Sequence, residues 1–87
     1  MHIDAMPHLN ACMDILRRLI DKGDPNGVPQ VERAINEYLD ATAAKARKSG
    51  LRLLQEDVMM QRDAVVGVHS SFAERVNAYI EKKLTEV

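Results

Sequence analysis

The apolar positions of the last 37 residues predict one long helix. From Leu51 to Val87, apolar side chains recur at steps of three, four or seven residues, the spacing that places them on one face of a helix. Because the segment contains no proline and only one glycine, Gly67, we expect a continuous amphipathic helix. Its apolar stripe consists of Leu51, Leu54, Val58, Val65, Val68, Phe72, Val76 and Tyr79.

The stretch from Gly67 to Ser71 is the weak point of this helix. Ser71 and Glu74 have the spacing of a capping box, so the alternative is a break with a new helix from Phe72. The apolar stripe crosses the stretch without a change of phase, and this favours the continuous helix.

A first helix is predicted from about Ala5 to Lys22, with Asp4 as its N-cap. The run from Gly23 to Gly27 combines glycine, aspartate, proline and asparagine, residues that end helices and form turns, so we expect a tight connection there. The apolar stripe of this helix consists of Leu9, Cys12, Met13, Leu16, Leu19 and Ile20.

A second helix is predicted from Pro29 to about Lys48. Proline suits the first turn of a helix, and Gly50 lies just past the predicted end, where glycine commonly terminates helices. Its second half is rich in alanine, a strong helix former. The apolar stripe of this helix consists of Val31, Ala34, Ile35, Tyr38, Leu39 and Thr42.

These patterns predict an all-α fold in a single domain, residues 1–87. A helical hairpin, about 5–22 and 29–48, packs on a long C-terminal helix, which makes three helices, or four if the chain breaks near Gly67 to Ser71. A continuous C-terminal helix would be about 55 Å long, whereas a compact chain of this size is about 30 Å across. Its overhanging apolar residues need cover, so we expect a helical-bundle homodimer. The residues predicted to contact a partner are Met59, Met60, Phe72, Val76, Tyr79 and Ile80.

Charge is nearly balanced, with a formal net charge of −1, so no global field attracts nucleic acid or anionic membranes. Residues 45–52 are the exception, because they carry four basic side chains and no acidic one. We predict phosphate binding there as the alternative function. The segment 44–58 resembles the second loop and third helix of the histone fold, although the preceding helix is shorter than that family's central helix. The four basic residues are Lys45, Arg47, Lys48 and Arg52.

Groups that could carry chemistry are few. His8 and Cys12 lie four residues apart and could join His2 or Asp4 at zinc, but a structural zinc site needs four ligands in recognisable pairs. His69 and the serine that follows it point about 100° apart on a helix, so they do not form a catalytic pair. We therefore expect no enzyme activity, no metal and no cofactor.

The single cysteine excludes an internal disulfide, and the chain shows neither a signal-peptide pattern nor an apolar run of the roughly 18 residues that a membrane span requires. We expect a cytoplasmic protein that does not enter a membrane. The favoured function is a small non-enzymatic adaptor, chaperone or inhibitor that presents an apolar helical face to another protein. A nucleic-acid-associated protein is the alternative, and a small enzyme built on a helical dimer is the third class.

Overall fold

The computed structural model describes residues 6–87, and in this range the chain folds into four packed α-helices without a strand. A single turn of 3-10 helix, Pro25–Gly27, joins the first two of them. The helices are α1 (Met6–Lys22), α2 (Val28–Asp40), α3 (Ala44–Ala64) and α4 (Val68–Glu86).

The prediction for α1 and the turn that follows is confirmed. Gly23 adopts a left-handed backbone conformation, with φ at 65°, which ends α1 at a residue type that tolerates it. Asp24 then caps the 3-10 turn, since its side chain accepts a hydrogen bond from the amide of Asn26 at 2.9 Å. The expected N-cap of α1, Asp4, lies outside the described residues.

The second helix ends eight residues earlier than predicted, at Asp40 rather than Lys48. No glycine or proline interrupts the chain here, so the break comes from side-chain contacts. The Thr42 hydroxyl donates to the carbonyl of Tyr38 at 2.6 Å, and the Arg47 guanidinium donates to the carbonyls of Leu39 and Thr42 at 2.9 and 3.0 Å. These bonds satisfy carbonyls that a helix end leaves without an intrahelical partner.

The prediction that Gly50 ends a helix is wrong, because Gly50 is buried inside α3. It lies directly against the ring of Tyr38 on α2, and a β-carbon at this position would overlap the tyrosine hydroxyl. The glycine therefore allows the Tyr38 side chain of α2 to pack directly against the backbone of α3.

The prediction of a continuous C-terminal helix is also wrong, and the alternative prediction of a break near Gly67 is correct. Helix α3 ends at Ala64, Val65 is extended, and Gly67 has φ at 65°, after which α4 starts at Val68 rather than at Phe72. The amide of Ser71 donates to the carbonyl of Gly67 at 3.1 Å, so Ser71 lies within the first turn and is not its cap. The break folds the C-terminal segment back on itself and makes α3 against α4 the largest interhelical contact.

One core unites the four helices, and the predicted apolar stripes of α1 and α2 supply ten of its seventeen buried residues in the described part of the chain. The fold has a radius of gyration of 12.4 Å and extends 44 × 23 × 21 Å. No 55 Å helix overhangs it, so the geometric reason for expecting a homodimer disappears. The fully enclosed residues of α3 and α4 are Leu51, Leu54, Val58, Ala73 and Ile80.

Candidate functional site

The structure separates the six residues predicted to contact a partner. Phe72, Val76 and Ile80 lie in the core of the chain itself, so the exposed face expected for them does not exist. Tyr79 is half-buried and accepts a hydrogen bond from the amide of Asn36 at 3.0 Å.

The two methionines of that set lie on α3. Met59 is half-buried, whereas Met60 is 70% exposed. Leu53, one heptad before Met60 on the same face of α3, is also exposed, but the exposed acidic residue Glu56 lies between them. Met60 thus remains available to a partner as one apolar side chain and not as part of a stripe.

The four basic residues at 45–52 all lie in the first three turns of α3 instead of spanning a helix end and a turn. Arg47 is half-buried and committed to the carbonyls at the end of α2. Lys45, Lys48 and Arg52 are exposed and recur at steps of three and four, so they share one face. They stand at the positive end of the helix dipole, where cations are disfavoured and an anion is stabilised.

A groove that the sequence did not predict runs between α1 and α2. Its volume is about 660 Å³, and we call it the α1/α2 groove. Its apolar floor consists of Ile15, Leu19, Pro29 and Ala34. Ile15 is 36% exposed, a large apolar side chain that no part of the described chain covers fully.

Cationic side chains dominate the charge of this groove. Arg18 and Lys22 line it from α1 and Arg33 lines it from α2, whereas Glu37 is the one acidic side chain in its lining. None of the three cations lies within ion-pair distance of a carboxylate in residues 6–87. The groove therefore carries three positive charges against one negative in a chain whose net charge is −1.

The groove follows the length of the helical hairpin. Lys22 at the end of α1 faces the start of α2 at Pro29, and a smaller cavity of about 100 Å³ brings His8 together with Tyr38 near the end of α2. The two helices therefore run antiparallel. Both cavities share Ile15, Ala34 and Glu37, so they lie next to each other along the hairpin, and we call them together the channel.

Cys12 lies in the wall of the smaller cavity but is poorly suited to nucleophilic chemistry. Burial raises the pKa of its thiol to about 12, and the nearby Glu37 carboxylate acts in the same direction. The thiolate is the nucleophile and the metal ligand, so at neutral pH this thiol is inert. Residues 6–87 contain no group of three His, Cys, Asp or Glu side chains placed to hold a metal ion, and His2 and Asp4 lie outside that range.

His69 has a structural position. Its Nδ1 lies 2.9 Å from the carbonyl oxygen of Ile20, near the end of α1, and its ring packs closely over Gly23. The contact fixes the start of α4 against the end of α1. It gives His69 a packing role that does not involve the neighbouring serines.

Sequence reasoning missed the groove because most of its residues lie beside the apolar stripes, and only Leu19 and Ala34 belong to them. Ile15, Arg18 and Lys22 are spaced three and four residues apart and so share a face of α1, and Gln30, Arg33 and Glu37 do the same on α2. These two faces are visible in the sequence. Their meeting on one side of the hairpin depends on how each helix rotates about its axis, which the core decides.

Comparison with known proteins matches the chain to no family model, no curated protein and no solved structure. The geometry of the chain itself must therefore carry any functional argument. Within residues 6–87, no helix has the length and apolar character needed to cross a bilayer.

Proposed function

We propose that this chain is a small non-enzymatic protein-interaction module that binds a segment of another protein in the α1/α2 groove. The observation that carries this proposal is an open channel between the antiparallel helices α1 and α2. Apolar residues form its floor, and polar residues form its rim. Concave apolar surfaces with a few polar groups are typical binding sites. An exposed face of α3 or α4, as first expected, has less support because most of its apolar residues are core.

A helix is the partner element that fits this channel best. Two packed antiparallel helices leave a groove that a third helix can enter, with side chains at steps of three and four as anchors. Ile15 and Leu19 are four residues apart and both line the groove from α1, but Leu19 is buried in the core and Ile15 is the exposed apolar anchor of this helix. The partner helix would complete a packing arrangement that α1 and α2 leave open on this side.

Site-specific photo-crosslinking tests the proposal directly. A photoreactive phenylalanine analogue is placed at Ile15 in the groove or, as a matched control, at Leu53 on α3, which is comparably exposed at 45% against 36%. After irradiation in cells of the native host, we expect a discrete adduct with one protein from position 15 and none from position 53. An adduct confined to position 53, or no protein adduct at either position, would contradict the proposal.

Nucleic-acid binding remains the second candidate because Lys45, Lys48 and Arg52 share a face at the positive end of α3. Helix α3 has no acidic residue in its first turn and no side-chain cap, and apart from the Ala46 amide, which donates to the carbonyl of Ala43 at 2.9 Å, its first-turn amides are available to a phosphate oxygen. A mobility shift of labelled duplex DNA or RNA that weakens with salt and disappears in Lys48→Glu with Arg52→Glu would support this function. Unchanged binding in that variant would exclude the cluster as the site.

A further inference from the structure

We infer that the α1/α2 groove selects an acidic amphipathic helix, an inference that rests on the proposed function and specifies the chemistry of the partner. The three groove cations, Arg18, Lys22 and Arg33, project from both walls. An acidic helix lying on the floor between them would meet a cation on either side. A basic helix of the same shape would meet the same cations and be repelled.

The cations lack ion-pair partners in the described chain although acidic residues are close in sequence. Asp21 and Glu32 are exposed and adjacent to Lys22 and Arg33, yet neither lines the groove. None of the four residues takes part in an ion pair within residues 6–87. The positive charge of the groove is therefore left for a group that comes from outside.

The apolar floor distinguishes this groove from the unpaired cations at the start of α3. Ile15 and Pro29 are exposed and offer apolar contact area, whereas a nucleic acid would be held by phosphate contacts and by stacking on aromatic side chains. No aromatic ring lines the 660 Å³ cavity. Apolar floor and cationic rim together match a peptide helix with apolar anchors flanked by Glu or Asp.

The dimensions of the channel fit a helix of about four turns. From His8 to Lys22 along α1 the channel covers 14 residue steps, which at about 1.5 Å per residue is about 21 Å. A helix of that length presents anchors at positions i, i+3, i+4 and i+7.

Glu37 gives the channel a direction. It lies where the two cavities meet, past the three cations, so the positive charge is concentrated toward the Lys22 end. A partner helix is thus expected to place its acidic residues near Lys22 and Arg33. A basic residue of the partner can pair with Glu37 at the other end.

Two designed helical peptides of about four turns test the inference. Both carry the same leucine anchors, and the flanking positions are Glu in one and Lys in the other. At about 50 mM salt we expect the Glu peptide to bind at least about tenfold more tightly by fluorescence anisotropy. The preference should largely vanish near 1 M salt, where screening acts over only about 3 Å.

Charge reversal on the protein tests whether the preference for the Glu peptide depends on the groove cations. Arg18→Glu with Arg33→Glu should abolish the preference for the Glu peptide or invert it. Lys48→Glu with Arg52→Glu changes the net charge by the same amount on α3, outside the groove, and should leave the preference nearly intact. Circular dichroism of both variants checks that the helices are retained.

The inference is overturned if the two peptides bind equally at low salt, if the Lys peptide binds better, if neither binds, or if the α3 variant removes the preference as fully as the groove variant. Equal binding that is lost in Ile15→Glu would leave the protein-interaction function standing, with a partner selected by shape alone.

Light scattering of the free protein tests whether a second copy of the chain occupies the groove. A mass above 9.8 kDa that falls in Arg18→Glu with Arg33→Glu would assign the groove to self-association and overturn an external partner.

Discussion

Two helix pairs of this fold differ in whether their polar side chains have partners within the chain. They are α1 with α2, which form the groove, and α3 with α4. Across α3 and α4, the amide of Gln55 donates to Asn77 at 3.0 Å and also to the Glu81 carboxylate. The cations of the groove have no ion-pair partner within residues 6–87. The α3/α4 contact thus satisfies its polar groups within the fold, whereas the groove leaves its cations without an ion-pair partner in the described range.

A third region, between α1 and α3, pairs its polar side chains within the fold as the α3/α4 contact does. The Arg17 guanidinium on α1 donates two hydrogen bonds, of 3.0 and 2.7 Å, to the Asp57 carboxylate on α3. The side-chain amide of Gln61 donates a third hydrogen bond to the same carboxylate at 2.8 Å. Arg17 and Arg18 are neighbours in sequence, yet one is paired across the fold and the other lines the open groove. Adjacent identical residues thus serve different purposes because they project from different faces of α1.

The largest expected effect is on the α3/α4 contact. Leu54→Ala removes an enclosed side chain and should lower the free energy of unfolding by about 2–5 kcal/mol, the usual cost of such a cavity. Leu53→Ala, the adjacent and exposed control, should change it by less than about 0.5 kcal/mol. Urea unfolding of both variants measures this. Equal losses of unfolding free energy in the two variants would contradict the burial of the Leu54 face of α3.

A smaller loss is expected where α3 approaches α2. Gly50→Ala places a methyl group on the Tyr38 hydroxyl and should cost about 1–3 kcal/mol by overpacking, despite the better helix propensity of alanine. Tyr38→Phe in the same chain should recover part of the loss, because it removes the overlapping oxygen. A stabilised Gly50→Ala variant in thermal melting would contradict the close contact.

The Cys12 thiol gives a pH-dependent effect of similar or smaller size. Its pKa is about 12 in the folded chain, well above the value near 9 of an unfolded thiol, so the unfolded state loses its proton first as pH rises. Stability should be unaffected by this group below about pH 8 and should fall by about 1.4 kcal/mol by pH 10. The decline should be weaker in Cys12→Ala, a comparison that separates the thiol from Tyr38, whose pKa burial also raises. An equal decline in both proteins would contradict the buried thiol.

The smallest effect on stability is expected from the groove itself. Arg18→Gln with Arg33→Gln removes two exposed cations without ion-pair partners and should change the free energy of unfolding by less than about 0.5 kcal/mol. Lys48→Gln with Arg52→Gln is the matched control on α3. A loss above about 1.5 kcal/mol in urea unfolding would show that the groove cations hold the hairpin together.

The helical class and the core faces of α1 and α2 could be predicted from sequence because they follow from residue spacing. The two points at which the predicted helices are interrupted were harder to predict. At Ala41 to Ala43 local propensity favours helix, and only the contacts of Thr42 and Arg47 show why the helix ends. At Gly67 the sequence indicated the weak point, but an unbroken apolar stripe argued the other way.

The candidate site was less predictable than the fold. The residues expected on a partner surface were apolar, and in a small chain such residues go to the core first, as Phe72, Val76 and Ile80 do. The groove is formed by side chains that flank the stripes, such as Ile15 and Arg33. Its existence depends on the distance and rotation between two helices, which hydrophobic periodicity does not report.

Chemical-shift mapping by NMR tests the division between binding and folding regions most directly. Labelled protein is titrated with the Glu peptide, and the backbone amide of every residue is followed. The account predicts that the largest shifts cluster on the groove, around Ile15, Arg18 and Arg33, while Gln55 and Asn77 between α3 and α4 remain unchanged. Shifts centred on α3 and α4, with the groove amides unmoved, would contradict it.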